Sequence, residues 1–182
     1  MVPRDRLALA ASLEAAADLQ TVLAGAVALR LVELWSAIDP VTEAVSRIRE
    51  SIRDDAKAAT GEGGIIRPGF SAEVDELSRA STEGRQWLVR LEASERERTG
   101  IKSLKIDFNQ VFGYYIEVTH ANSQLVPVNY TRKQTLANAE RYITAELAEL
   151  ESKILGAEER LVRLEEAIFQ QIVDEVAQYL PR

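Results

Sequence analysis

Cysteine is missing altogether from the 182 residues, which excludes disulfides, thiolate catalysis and zinc sites built on Cys. Histidine occurs once, as His120, so a His-rich metal centre or a His pair is excluded as well. No stretch of about 18 apolar residues appears, so no segment reads as a bilayer-spanning helix. Basic residues are in the minority, 22 Lys and Arg against 29 Asp and Glu, a net charge of −7. As a whole the chain is therefore neither a basic nucleic-acid binder of the obvious kind nor a ligand for anionic membranes. A nucleophile elbow, a metal-ligand helix and a nucleotide loop are lacking. Gly61, Gly63 and Gly64 are followed by Ile65-Ile66 rather than Lys-Ser or Lys-Thr, so Thr60 to Gly64 reads as a surface connection and not as a phosphate cradle. Residues 1–9 carry Arg4, Asp5 and Arg6 and no apolar run of signal-peptide type, which sets a cytoplasmic location as the expectation.

What is present is mostly helical. The chain is 46% hydrophobic and 28% charged, a balance that fits one or two folded domains and not a disordered chain. Phe70, Val74, Leu77, Ser81, Gly84, Leu88 and Leu91 recur in alternating steps of four and three. Leu147, Leu150, Ile154, Ala157, Leu161, Leu164 and Ile168 do the same, and Ile172, Val176 and Tyr179 continue the stripe. Such a repeat is the pattern of a coiled-coil seam. The second helix, over residues 144–180, would be about 55 Å long at 1.5 Å per residue. The first starts at Ser71 as N-cap and stops at Thr99-Gly100. Small residues in the seam, Ser81 and Gly84 on one helix and Gly156 and Ala157 on the other, permit close approach. Two long helices joined by a short insertion must run antiparallel. The insertion is then expected at the tip of a stalk, where it cannot help a core. The N-terminal third predicts further helices: one through Leu9, Leu13, Ala16 and Leu23, one carrying Trp35 and Ile38 and stopping at Asp39-Pro40, and one with Val41, Val45, Ile48 and Ile52.

Residues 101–142 differ from their flanks. They hold five cations, Lys102, Lys105, Arg132, Lys133 and Arg141, against three carboxylates, Asp107, Glu117 and Glu140, for a local net of +2. Phe108, Phe112, Tyr114, Tyr115, Tyr130 and Tyr142 place more than half of the chain's aromatics in this island. Its period is two: Leu104, Ile106 and Phe108 alternate with Lys105 and Asp107, and Tyr114, Ile116 and Val118 alternate with Tyr115, Glu117 and Thr119. That pattern predicts strands, with Asn109 to Gly113 as the reversal of a hairpin. A loop through Asn122, Ser123 and Pro127 then leads to a second hairpin, from Tyr130 to Thr135 and from Asn138 to Ile143. The expected organisation is a helical domain in two segments, 1–100 and 144–182, interrupted by a β domain at 101–143.

Candidate chemistry is sparse. Glu146, Glu149, Glu151, Glu158, Glu159, Glu165 and Glu166 flank the last apolar stripe with no His beside them, which reads as a solvated face and not an acid-base pair or a metal site. His120, at the loop entry after the second strand, reads as a surface histidine. Arg96, Glu97 and Arg98 read as solvated contacts at a helix end. What is left is recognition. Lys105, Asn109, Gln110, Arg132, Lys133, Gln134 and Asn138 are donors on a small sheet, suited to phosphate oxygens without reading sequence. A net of +2 neutralises few phosphates, so one copy is expected to bind in the non-specific range of about 10⁻⁴ to 10⁻⁶ M or weaker. Charge alone leaves a coiled-coil interaction module, docking a protein partner on its β tip, equally open.

From Gly64 onward the words GGIIRPGFSAEVDEL and LEASERERTGIKSLKIDFNQVFGYYIEVTHANSQLVPVNYTRKQTLANAERYITAELAELESKIL resemble the lever and clamp region of the MutS family of DNA mismatch-repair proteins. The stretch NQVFGYYIEVT followed by RKQTLANAERYIT is long and specific, and PRDRLALAASLEAAADLQ looks like the helix that opens the preceding core segment. The resemblance implies a mainly α fold, a helical lever bundle with long antiparallel helices and a four-stranded antiparallel β clamp. It implies that double-stranded DNA is gripped by its backbone, in company with a second subunit of the same type, with no membrane partner and a place at the nucleoid. It also implies a piece of a protein several times longer. The mismatch-reading element and the ATPase domain with its ATP and Mg would lie outside these residues, so neither a catalytic site nor a cofactor is expected here. Carried over residue by residue, it points to Asn109, Gln110 and Phe112 in the first hairpin and to Arg132, Lys133, Gln134 and Asn138 in the second as DNA contacts. If both hairpins point away from the helices, residues 109–113 and 135–138 share one far end, with Asn109, Gln110, Lys133 and Asn138 foremost. Gly113, Tyr114, Tyr115, Arg141 and Tyr142 are expected to be structural. Many relatives have Lys where Ala137 stands, which implies one backbone contact fewer.

Overall fold

The structure, a computed structural model, describes residues 2–56, 61 and 63–179; Thr60 and Glu62 of the glycine-rich connection, and Pro181-Arg182, lie outside the described residues. The fold is mainly α with one antiparallel sheet. Its order is α1 (Pro3–Leu23), α2 (Leu29–Ala37), α3 (Thr42–Ser51), α4 (Ala72–Thr99), β1 (Lys105–Asn109), β2 (Gly113–Thr119), a 3₁₀ segment (His120–Leu125), β3 (Thr131–Thr135), β4 (Ala139–Ile143) and α5 (Ala145–Ala177). Residues 1–75 with 160–182 form one compact unit, and residues 76–159 form the other.

In the first unit, α1 opens with Pro3 in its first turn, and Asp5 reaches back to accept the Val2 amide at 2.9 Å. Ala10 of α1 and Ala44 and Ile48 of α3 are small or β-branched residues on facing stripes, and Phe169, Ile172 and Val176 of α5 close over them. Ion pairs edge this core, Arg49 to Glu14 at 2.6 Å and Arg47 to Glu175 at 2.5 Å. A short antiparallel bridge between Ile52 and Ile66 brings the chain after α3 into the same core.

Here two expectations are corrected. The stripe beyond Leu161 is not one side of a continuous two-helix seam, because Leu161, Leu164, Ile168, Ile172 and Val176 pack among α1, α3 and the Ile52–Ile66 bridge, with Val74 as the residue from α4. A heptad pattern states that a face must be buried, and several helices satisfy that demand as well as one. Nor is Glu165 a solvated residue: it is 2% exposed, and its carboxylate accepts the amides of Gly64, Ile65 and Ile66 at 2.6, 3.0 and 3.1 Å. Three aligned N–H donors replace the water that a buried carboxylate loses.

In the second unit the sheet order is β1-β2-β4-β3, so each hairpin contributes one central and one edge strand. Ile106, Tyr114, Ile116, Val118 and Tyr142 turn toward Leu88 and Leu91 of α4 and Leu147 and Ile154 of α5, forming one core. The sheet therefore does serve a core, contrary to expectation, and the compact unit is wider than 101–143 because helix residues close the sheet's apolar face. The α4 and α5 segments of this unit run antiparallel. Ser81 and Arg85 both donate to Glu158, at 3.0 and 2.6 Å, and the backbone of Gly84 lies so near Ile154 that an added Cβ would fall 2.5 Å from its Cγ1. The close approach read from Gly84 is real.

The charge run at the end of α4 is partly internal. Glu95 is 8% exposed and accepts hydrogen bonds from Arg98 at 2.6 Å and from the Tyr130 hydroxyl at 2.5 Å. Burial pushes the Glu95 carboxyl up, but the Arg98 and Tyr130 bonds together outweigh it and leave the group below its ordinary value. A carboxyl lowered on folding adds stability above the ordinary carboxylate range, and that contribution is lost as pH falls through the folded value. Arg96 donates to the Leu104 carbonyl at 2.5 Å and thus holds the entry to β1.

Candidate nucleic-acid interface

The turn between β1 and β2 is tied down from several sides. Asn109 Oδ1 accepts the amides of Val111 and Phe112 at 2.8 and 3.3 Å, the usual way an Asn side chain imitates a backbone turn. Gly113 has φ +73°, and a Cβ there would overlap the Glu151 carboxylate. That carboxylate accepts the Tyr114 amide at 3.2 Å, so the turn lies alongside α5. Lys133 reaches across from β3 and donates to the Phe112 carbonyl at 2.9 Å. Gln110 is exposed and makes no hydrogen bond among the described residues, and the Phe112 ring is 42% exposed.

The turn between β3 and β4 is built differently. The Leu136 amide donates to the Ala139 carbonyl at 2.8 Å, closing the reversal. The chain entering the 3₁₀ segment holds it from the side: the His120 amide donates to the Asn138 carbonyl at 3.2 Å, and His120 Nε2 lies 3.0 Å from the Leu136 carbonyl. The turn itself contributes only backbone groups to these bonds. The side chains of Ala137 and Asn138 stay exposed, and Asn138 makes no side-chain hydrogen bond among the described residues.

These two turns do not share one end of the sheet. Thr119, at the end of β2, pairs with Ala139, at the start of β4, whereas Asn109 pairs with Gly113 at the other extremity of β2. The second turn thus projects beyond the Thr119 end, and the first lies at the Gly113 end. Joining β4 antiparallel to β2 forces this, since the turn that begins β4 must stand where β2 finishes. Of the candidates set at one end, Lys133 meets the first turn and Asn138 does not.

The other candidates are engaged on the strands. Arg132 forms an ion pair with Glu140 at 2.9 Å. Glu140 also accepts the Tyr142 hydroxyl, and these two bonds, the Tyr142 one first, hold its carboxyl below the ordinary value. Burial and then Glu140 push the Tyr142 hydroxyl up to about 12. On the opposite face Arg141 stacks 4.1 Å over the Tyr115 ring and donates to Glu117 at 3.2 Å and to Gln134 Oε1 at 3.0 Å, while Lys105 lies 3.4 Å from Glu117. Gln134 therefore orients Arg141. Of the cations near the sheet, Lys102 is exposed with no partner among the described residues, and Lys133 meets only a neutral carbonyl. Residue pattern alone offered no sign of the His120 tie or of the Glu151 contact, because both partners come from distant sequence.

Among the described residues no group of three or more His, Asp or Glu is placed to hold a metal ion, and no helix is long and apolar enough to cross a membrane. An open groove of about 600 Å³ runs between α4 and α5, floored by Gly84, Leu150 and Ile154 beside the half-exposed Trp87.

Comparison with known families settles the kinship. The pattern described as MutS family domain IV matches residues 69–160, a span that contains the whole second unit. The chain belongs to the MutS family. A DNA mismatch repair protein MutS from Alkaliphilus metalliredigens is 48% identical over 182 residues, which is 100% of this chain and 21% of the relative. The protein of the same name from Symbiobacterium thermophilum is 49% identical over 179 residues, 98% of this chain and 20% of the relative. The chain thus spans about a fifth of the length of the curated relatives it matches. Both sheet turns, His120 and Lys102 fall inside the MutS domain IV match.

Proposed function

We propose that this chain is the DNA-gripping part of a DNA mismatch repair protein, holding duplex DNA by its backbone without reading sequence. The observation that carries the reading is the MutS domain IV match over the residues that fold as the sheet unit. Exposed donors around that sheet support it: Lys102, Gln110 and Asn138 have no partner among the described residues, and Lys133 has only a carbonyl. Such groups suit phosphate oxygens and carry no base code. In the whole protein the grip is shared with a second subunit and coupled through the helices to an ATP site elsewhere, at work on the nucleoid in the cytoplasm.

The test is salt. Binding of a labelled random-sequence duplex should weaken steeply from about 50 to about 200 mM salt, with a slope set by the number of phosphates neutralised. The double variant Lys133→Ala with Asn138→Ala should lower affinity about tenfold at unchanged melting temperature. Unchanged affinity would refute these contacts. A second reading, a helical module that docks a protein partner, is favoured by Trp87 over its apolar groove, and it expects an interaction that salt barely weakens.

A further inference from the structure

We propose that His120 is a phosphate contact whose protonation sets how tightly the Asn138 end of the sheet holds duplex DNA; the inference rests on the backbone-gripping reading above. His120 is exposed, directly follows β2 and stands across from Asn138, to whose carbonyl its amide donates at 3.2 Å. Its ring is oriented: Nε2 lies 3.0 Å from the Leu136 carbonyl. A carbonyl oxygen only accepts, so Nε2 carries the proton in both charge states of the ring. Nδ1 is then the atom that changes. In the neutral ring it is a bare lone pair, which repels a phosphate oxygen; in the cation it is a charged donor, which binds one.

The charged groups around the ring leave this switch open. Glu140 on β4 is the carboxylate that feels His120, and it is already held by Arg132 of β3 at 2.9 Å and by the Tyr142 hydroxyl. The connection between α4 and β1 packs on the 3₁₀ segment through a Ser103–Asn122 hydrogen bond of 3.0 Å, and its charged residue is the exposed Lys102. The 3₁₀ segment itself has no other ionisable side chain. A phosphate arriving at the Asn138 turn thus meets an exposed amide side chain and, across a backbone hydrogen bond from that residue, the His120 ring, with Glu140 already paired to Arg132. His120 is the chain's one histidine, and histidine is the residue type whose charge changes between about pH 5 and pH 8.

Linkage gives the sign. A duplex that binds the charged ring better must take up protons on binding, so affinity rises as pH falls. With a labelled random-sequence duplex at low salt, the chain should bind about three- to tenfold more tightly near pH 6 than near pH 8. His120→Gln, which keeps a donor for the Leu136 carbonyl, should flatten that dependence, and His120→Lys should hold the tighter value at both pH values. The His120 Hε1 proton, unique because the chain has one histidine, should titrate at higher pH by NMR with saturating duplex than without it. A pH dependence that persists in His120→Gln, or a His120 titration unmoved by a duplex that does bind, overturns the inference while leaving the DNA reading intact. Absence of salt-sensitive duplex binding at either pH overturns the DNA reading itself, and the His120 inference with it.

Discussion

Each turn of the sheet carries one asparagine, and the two are put to opposite uses. At the Gly113 end, Asn109 folds its side chain onto its own turn, Glu151 takes the Tyr114 amide, and Lys133 caps the Phe112 carbonyl. At the Asn138 end, the reversal is closed by backbone and by His120, and the polar side chain at its apex is left over. An Asn in a turn is therefore not informative by its identity. What separates the two is whether its side-chain amide is consumed by the backbone beside it. The Asn109 side chain belongs to the folding of the unit, and the Asn138 side chain is free to meet something else.

Four variants would break or sharpen that contrast. The largest effect is expected from Gly113→Val, which forces a β-branched residue into φ +73° and drives it into Glu151. Urea unfolding should show a loss of about 3 kcal/mol. Next comes the Lys133→Ala, Asn138→Ala pair, with about a tenfold loss in duplex affinity and little change in unfolding midpoint. Asn109→Ala should cost about 1 kcal/mol of stability by freeing two turn amides, and should leave duplex affinity nearly unchanged once folded protein is compared with folded protein. The smallest is Ala137→Lys at the free apex: stability within about 0.5 kcal/mol of the parent, and a salt slope steeper by about one phosphate. Should Asn109→Ala weaken DNA binding as much as the double variant does, the contrast between the turns fails.

Much of the architecture was legible in the residues themselves. Alternation at Tyr114, Ile116 and Val118 and the Asn109–Gly113 reversal named the first hairpin, and Ser71 marked the start of α4, where its hydroxyl accepts the Val74 amide at 3.4 Å. Strand pairing beyond the hairpins was not legible, because alternation says which face is buried and nothing about which strand lies next. That is why the two turns were expected together: the β2–β4 pairing, which parts them, is a long-range choice. The burial of Glu165 escapes the residue pattern for the same reason. Glu165 looks like Glu166 in sequence, and only the return of Gly64, Ile65 and Ile66 a hundred residues away distinguishes them. Among the candidate contacts, Gln110 and Asn138 remain outward, whereas Arg132 and Gln134 have partners on neighbouring strands.

The Glu165 cradle also bears on the order of events at the ribosome. Its amides precede the carboxylate by 99 to 101 residues. At about 5–20 residues per second, those amides emerge roughly 5 to 20 seconds before the group that satisfies them. Residues 76–159 are translated wholly inside that interval and are contiguous, so they are free to finish folding while the N-terminal helices still wait for the second half of α5. The second half of α5 is the piece that fastens the N-terminal helices in place.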